Sequence, residues 1–120
     1  RRNKAADFYD AAFKNVSELT IPYRTKSSNH VFHQYTLKLS DEINRDNLVA
    51  YLAQKDIPAM IYYPIPAHKQ KMFSSIENIC SDLEHTEWLN SRVFSLPMHT
   101  ELSHVQQNYI IESVIEFIKK

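Results

Sequence analysis

Glycine is missing from all 120 residues, where average usage near 7% would supply about eight. The absence excludes chemistries built on backbone that must turn sharply or approach a phosphate closely. No Walker loop, dinucleotide fingerprint or glycine-dependent nucleophile elbow can be written without it. Any phosphate contact must come from side chains or from ordinary helix N-termini. Cys80 is the single cysteine, so an internal disulfide and a cysteine-based zinc cluster are both excluded, in keeping with a reducing, cytoplasmic compartment. No apolar run approaches the roughly 20 residues that span a bilayer, and the charged start Arg1-Arg2-Asn3-Lys4 lacks the apolar stretch of a signal peptide. Membrane partners are therefore not expected. Fourteen basic and 14 acidic side chains cancel, which leaves no basic field to hold nucleic acid.

What the chain does have is concentrated between Ala59 and Gln70. A short apolar run, Ala59-Met60-Ile61, leads into Tyr62-Tyr63-Pro64-Ile65-Pro66-Ala67-His68-Lys69-Gln70. Pro64 and Pro66 each fix φ, remove a donor and push the preceding residue toward extended conformations. The strand must stop there, and a stiff turn then displays two phenols, an imidazole, an ammonium and an amide. That composition fits a polar-ligand edge, and it fits an ordered surface loop with a tyrosine packed at its base.

The rest reads as a single domain with helices and short strands in alternation. Ala5, Ala6, Phe8, Tyr9, Ala12 and Phe13 recur at helical spacing over residues 1 to 14. Leu19 to Tyr23 is a short extended piece, and Arg24 to Asn29 a loop. Val31 to Leu39 predicts a strand with Val31, His33, Tyr35, Leu37 and Leu39 on one side and Phe32 and Gln34 on the other. Asn44 caps a helix to about Lys55 that buries Leu48, Val49, Tyr51 and Leu52. Ile57 to Tyr62 predicts a second strand and Arg92 to Leu96 a third. Ser81-Asp82-Leu83-Glu84 and Ser103-His104-Val105-Gln106 are capping boxes, the second opening a long helix marked by Val105, Tyr109, Ile110, Val114, Phe117 and Ile118. The expectation is a compact two-layer α+β domain, with three short strands covered by four helices and strand order left open.

Six histidines invite a metal reading, but His30 and His33 fall on opposite sides of a strand and no carboxylate completes a ligand frame. Cys80 with His85 lacks any orienting or oxyanion group, so a small buried hydrophobe is expected. Tyr9, Phe13, Tyr35, Tyr51 and Trp88 read as core by spacing. No metal site and no catalytic residue is expected within this chain.

In order, Arg1-Arg2 with Ala6 and Tyr9, His30-Val31-Phe32-His33-Gln34-Tyr35, Ile57-Pro58, Tyr62-Tyr63-Pro64-Ile65-Pro66-Ala67-His68 with Gln70, and Phe94-Ser95-Leu96-Pro97-Met98-His99 resemble one family. The chain is similar, from residue 1 to about 119, to the C-terminal small domain of the DegT/StrS-type nucleotide-sugar aminotransferases. The resemblance implies a pyridoxal-phosphate enzyme of the aspartate-aminotransferase fold, fold type I. Such an enzyme is a cytoplasmic homodimer that moves an amino group from glutamate to a nucleotide-linked keto-sugar in amino-sugar or surface-polysaccharide biosynthesis. The cofactor and its lysine would belong to a larger N-terminal domain absent from this chain, so this domain contributes walls to the acceptor site and the dimer contact. A chain that starts inside a helical pattern without methionine agrees with such a piece. The resemblance implies substrate-binding roles for Tyr62, Tyr63, His68, His33 and Gln34, with Tyr63 toward a phosphate or sugar oxygen and His99 bracing its turn. Three positions depart from the family pattern: Tyr62 where His-Tyr-Pro is common, Ala67 where Leu is usual, and Asp56 where Gly often precedes Ile-Pro. Asp can replace that Gly as a left-handed helix end.

Two other classes fit the same pattern: a stand-alone α+β ligand-binding or regulatory module without catalysis, and a protein-interaction domain using the Tyr-Pro edge.

Overall fold

Helical spacing sets the first element. Ala5, Ala6, Tyr9 and Phe13 fall on one stripe of α1 (Arg2–Phe13) and are buried. The computed structural model describes residues 1–73 and 83–120. β1 (Leu19–Thr20), β2 (Tyr35–Leu39) and β3 (Val93–Leu96) form an antiparallel sheet in the order β1-β2-β3. Leu37 lies opposite Phe94 and Thr36 opposite Ser95, whose hydroxyls are 2.8 Å apart. Alternation sends Tyr35, Leu37 and Leu39 into one core with Tyr9 and Phe13 of α1, Leu48 and Leu52 of α2 (Arg45–Gln54), and Ile110 and Val114 of α4 (His104–Ile118). Lys38 projects the other way, its Nζ 5.0 Å from the Trp88 ring of α3 (Glu84–Asn90). The result is the expected two-layer α+β domain, with its pairing now fixed as antiparallel.

Local chemistry fixes the helix ends. Asn44 Oδ1 accepts from the Asn47 amide at 2.9 Å, and Ser103 and Gln106 cap each other reciprocally at the start of α4. At the far end of α2, Asp56 takes φ 57°. The Asp56 amide donates to the Ala53 carbonyl at 3.1 Å and the Ile57 amide to the Leu52 carbonyl at 3.0 Å, while Ile57 and Leu52 are both buried. This is a Schellman ending with aspartate in the position usually given to glycine. It aims Ile57 and Pro58 back toward β3.

Several expectations are corrected. The strand predicted from Val31 begins only at Tyr35, because Phe32 is left-handed (φ 46°) and its amide donates to His30 Nδ1 at 2.9 Å instead of to a ladder. The alternation therefore breaks: Phe32 is fully buried beneath the Arg24 guanidinium, and Val31 is 74% exposed. The strand predicted over Ile57 to Tyr62 reduces to one bridge, Met60 to Ser95, and Leu19–Thr20 supplies the third strand. Trp88 is 41% exposed under Lys38 and Arg92 instead of lying in the core. Val105 and Tyr109 are also exposed, and Tyr51 and Val49 only partly buried. α3 begins after Leu83, which makes no side-chain capping bond. Ser81, Asp82 and Cys80, on which a capping box and a buried thiol were expected, lie outside the described residues.

Candidate functional site

The proline turn leaves the sheet at a single point. Met60 N donates to the Ser95 carbonyl at 2.9 Å and Ser95 N to the Met60 carbonyl at 2.7 Å, so the segment ahead of the turn is docked against β3. The Tyr62–Tyr63 peptide is cis. Beyond it, Pro64 and Pro66 hold the chain extended until Lys69 N and Gln70 N close a short 3₁₀ turn onto Pro66 and Ala67. Little of this segment is buried: Tyr63 is 77% exposed, and Tyr62 and Ile65 are exposed as well. The two phenol rings stand edge-on, 6.5 Å apart at 77°.

Tyr62 divides two hollows. On one side lies a cleft of about 440 Å³ between the turn and α3, walled by Tyr63, Ile65, Pro66 and Leu89 with Gln70 and Asn90 as polar edges. On the other lies a smaller hollow of about 110 Å³ where Tyr62 meets His33, Gln34, Met60 and the ends of β3, Pro97 and Met98. Of the residues singled out from sequence, His33, Gln34 and Tyr62 are thus brought together, and Tyr63 stands across Tyr62 in the larger cleft. His68 is turned elsewhere. Its Nε2 lies 3.2 Å from Glu87 Oε1, the same oxygen that accepts from Lys69 Nζ at 2.8 Å. The Lys69 and then the His68 contact hold the Glu87 carboxyl below its usual range. His99 is exposed at the turn after Pro97.

Sequence reasoning did not identify Asn90 or Glu87. Asn90 Nδ2 donates to the Pro64 carbonyl at 3.1 Å, and nothing in the residue order around α3 signals that a short helix would brace the turn. Among the described residues no group of three His, Cys, Asp or Glu side chains is placed to hold a metal. Nor does any described helix have the length and apolarity to cross a membrane. The site offers phenol, amide and imidazole hydrogen bonds around an apolar floor, which suits binding and orientation of a polar ligand.

The sequence pattern of the DegT/DnrJ/EryC1/StrS aminotransferase family matches residues 1–115. The chain is 36% identical over 120 residues to a pleiotropic regulatory protein of Geobacillus stearothermophilus, covering 99% of this chain and 32% of that protein. It is 39% identical over 106 residues to the UDP-N-acetyl-3-dehydro-alpha-D-glucosamine 3-aminotransferase of Acidithiobacillus ferrooxidans, covering 88% of this chain and 27% of the relative. A solved DegT DnrJ EryC1 StrS aminotransferase from Brucella abortus superposes with a TM-score of 0.85 at 32% identity, over 99% of this chain and 31% of that one. NtdA from Bacillus subtilis, solved with bound cofactor PMP, superposes at 0.86 with 26% identity, over 99% of this chain and 28% of that one. The chain thus spans about a third of the length of the relatives it matches, and its sheet and helices are those of the α+β small domain of the aminotransferase fold. The pattern match runs through every element from α1 into α4, and the chain belongs to the DegT/DnrJ/EryC1/StrS aminotransferase family.

Proposed function

We propose that this chain is the C-terminal small domain of a cytoplasmic, homodimeric, pyridoxal-phosphate-dependent aminotransferase that moves an amino group from glutamate to a nucleotide-linked keto-sugar in amino-sugar or surface-polysaccharide biosynthesis. Its part is to wall the acceptor site and the dimer contact. Family membership supports the reaction class, and relatives such as the UDP-linked 3-aminotransferase support the substrate class. The observation that carries the site is the proline turn itself. It holds Tyr63 exposed beside a cleft, and Tyr62 against His33 and Gln34. Pro64 and Pro66, which follow the two phenols, stiffen the backbone of the turn and reduce the freedom it has to lose on binding.

The residues present do not by themselves fit pyridoxal phosphate. Lys55 is paired with Glu116, Lys69 with Glu87, and Lys38 lies over Trp88, so none of these stands in a closed pocket ready to carry the cofactor. On this reading the cofactor and its lysine belong to the remainder of the protein, and this chain's residues bind and orient the sugar. Phenol and amide donors at Tyr62, Tyr63 and Gln34 take diphosphate or sugar oxygens, with His33 at the same hollow, while His68, paired with Glu87, lines neither hollow.

Single-turnover kinetics of the two half-reactions test this in the full-length protein. Tyr63→Phe is expected to slow the nucleotide-sugar half by roughly ten- to a hundredfold, the value of one hydrogen bond to a charged phosphate (about 1.5–3 kcal/mol), and to leave the glutamate half unchanged. Equal slowing of both halves, or of neither, refutes the assignment. The 120-residue chain mixed with pyridoxal phosphate is expected to give no stoichiometric long-wavelength absorbance band.

A further inference from the structure

α3 has no buried side chain, so apolar burial does not fix where this helix sits. Polar and cation contacts do, and they run in two directions. Toward the sheet, Arg45 Nη1 donates to the Asn90 carbonyl at 2.8 Å and to the Val93 carbonyl at 3.1 Å, while Lys38 and Arg92 face the Trp88 ring. Toward the turn, Asn90 Nδ2 donates to the Pro64 carbonyl, and Glu87 takes Lys69 and His68. Asn90 belongs to both sets: its main chain is tied to α2 and its side chain to the turn.

The turn needs such a tie. Between the Met60 bridge and the Pro66 carbonyl, residues 61–65 make no main-chain hydrogen bond to main chain among the described residues. Pro64 has no amide to donate, and its neighbour Tyr63 is mostly solvent-exposed. The Pro64 carbonyl is one residue past Tyr63, so whatever holds it sets where that phenol stands relative to the cleft.

We propose that Asn90 is a positioning residue for the acceptor site, holding the Tyr62-Tyr63 turn at a fixed height above β3 through the Arg45-anchored end of α3. The proposal rests on the functional reading above: Asn90 lies at the edge of the cleft, and its Nδ2 is engaged by the Pro64 carbonyl, so its role is to hold the turn. Arg45 is well suited as the anchor because its side chain is only 10% exposed and its Nη1 serves two carbonyls on either side of the α3–β3 corner. With the donor removed, the turn samples other positions and the cost appears as ordering on binding.

The test is titration of UDP and of dTDP into the full-length protein by calorimetry, alongside single-turnover rates with glutamate. Asn90→Asp keeps the shape and replaces the donor with an acceptor, and Asn90→Ala removes the donor without adding charge. Both variants are expected to bind nucleotide about three- to tenfold more weakly, as for loss of one neutral hydrogen bond, with the urea midpoint lowered by no more than the worth of that bond and the glutamate half-reaction unchanged. If Tyr63→Phe weakens nucleotide binding and both Asn90 variants bind like the unmodified protein, the positioning role is wrong and the functional reading stands. If the variants slow the glutamate half as much as they weaken nucleotide binding, Asn90 is general scaffold and the proposal is overturned. If the unmodified protein binds neither nucleotide, the functional reading fails first.

Discussion

The Tyr35 hydroxyl donates to Asp10 Oδ1 across 2.7 Å, joining the first residue of β2 to a turn of α1. The other Asp10 oxygen pairs with Arg24 Nη2 at 2.6 Å, and the same guanidinium covers Phe32 at 4.6 Å from its centroid. Tyr9 lies beside Tyr35 with ring centroids 4.9 Å apart and donates to the Pro97 carbonyl at 3.1 Å. One network thus locks α1, the left-handed Phe32 corner and the end of β3. His33 and Gln34 sit between that corner and Tyr35, so their place in the small hollow is inherited from it.

Tyr35→Phe should destabilise the domain by roughly 1.5–3 kcal/mol, because a fully buried ring loses a hydrogen bond to an ionised acceptor while Asp10 keeps Arg24. The urea midpoint should fall at constant slope. An unchanged midpoint would mean that the Arg24–Asp10 pair carries the joint alone.

Alkali should attack the same network. Burial pushes the Tyr9 phenol up, and burial followed by the Asp10 bond pushes Tyr35 up, both well above the ordinary value near 10. Above pH 10 the unfolded chain releases those protons while the folded one retains them. The stability they contribute is complete below pH 10 and drains away as pH rises beyond it. Chemical denaturation between pH 9 and 11.5 should show a falling midpoint. Removal of either phenol as Phe should flatten the fall by up to about 1.4 kcal/mol per pH unit.

Asp56→Gly should stabilise the domain. An L-residue at φ 57° costs about 1–2 kcal/mol, of which glycine returns part as its own conformational entropy, leaving a gain of roughly 0.5–1 kcal/mol. A rise of a few degrees in Tm is expected by calorimetry. Asp56→Ala, which keeps a Cβ, should give no gain.

What could be read from sequence was what local chemistry decides. The Asn44 cap and the Ser103–Gln106 box each follow from residues within a turn of one another and stand as expected, and the left-handed end at Asp56 stands where the family resemblance implied it. The start of β2 did not, because the imidazole of His30 competes for the Phe32 amide and no alternation rule contains that bond. The third strand did not either: a two-residue strand at Leu19–Thr20 exists only through its pairing with Leu39 and Lys38. At the site, the composition of the turn pointed to Tyr62, Tyr63 and His68, and the family resemblance added His33 and Gln34; His68 pairs instead with Glu87. Two features come from tertiary geometry alone: Tyr62 standing between two hollows, and Asn90 reaching Pro64 from α3.

The Met60–Ser95 bridge gives the last prediction, since it is the point from which the turn departs. Met60→Pro removes the amide that donates to the Ser95 carbonyl, while Met60→Ala removes only a half-exposed side chain and keeps both bonds. In the proline variant the Ser95 amide, which donates to residue 60, should lose hydrogen-exchange protection, and stability should fall by no more than about 3 kcal/mol. In the full-length protein the nucleotide-sugar half-reaction should slow at least about tenfold, because Tyr62 and Tyr63 are no longer carried at a fixed distance from His33 and Gln34. The alanine variant should keep Ser95 protection, and its nucleotide-sugar half-reaction should slow far less than that of the proline variant. Loss of Ser95 protection with an undiminished nucleotide-sugar half-reaction would show that the turn can leave the sheet without consequence, and the acceptor wall would then have to be sought elsewhere on the domain.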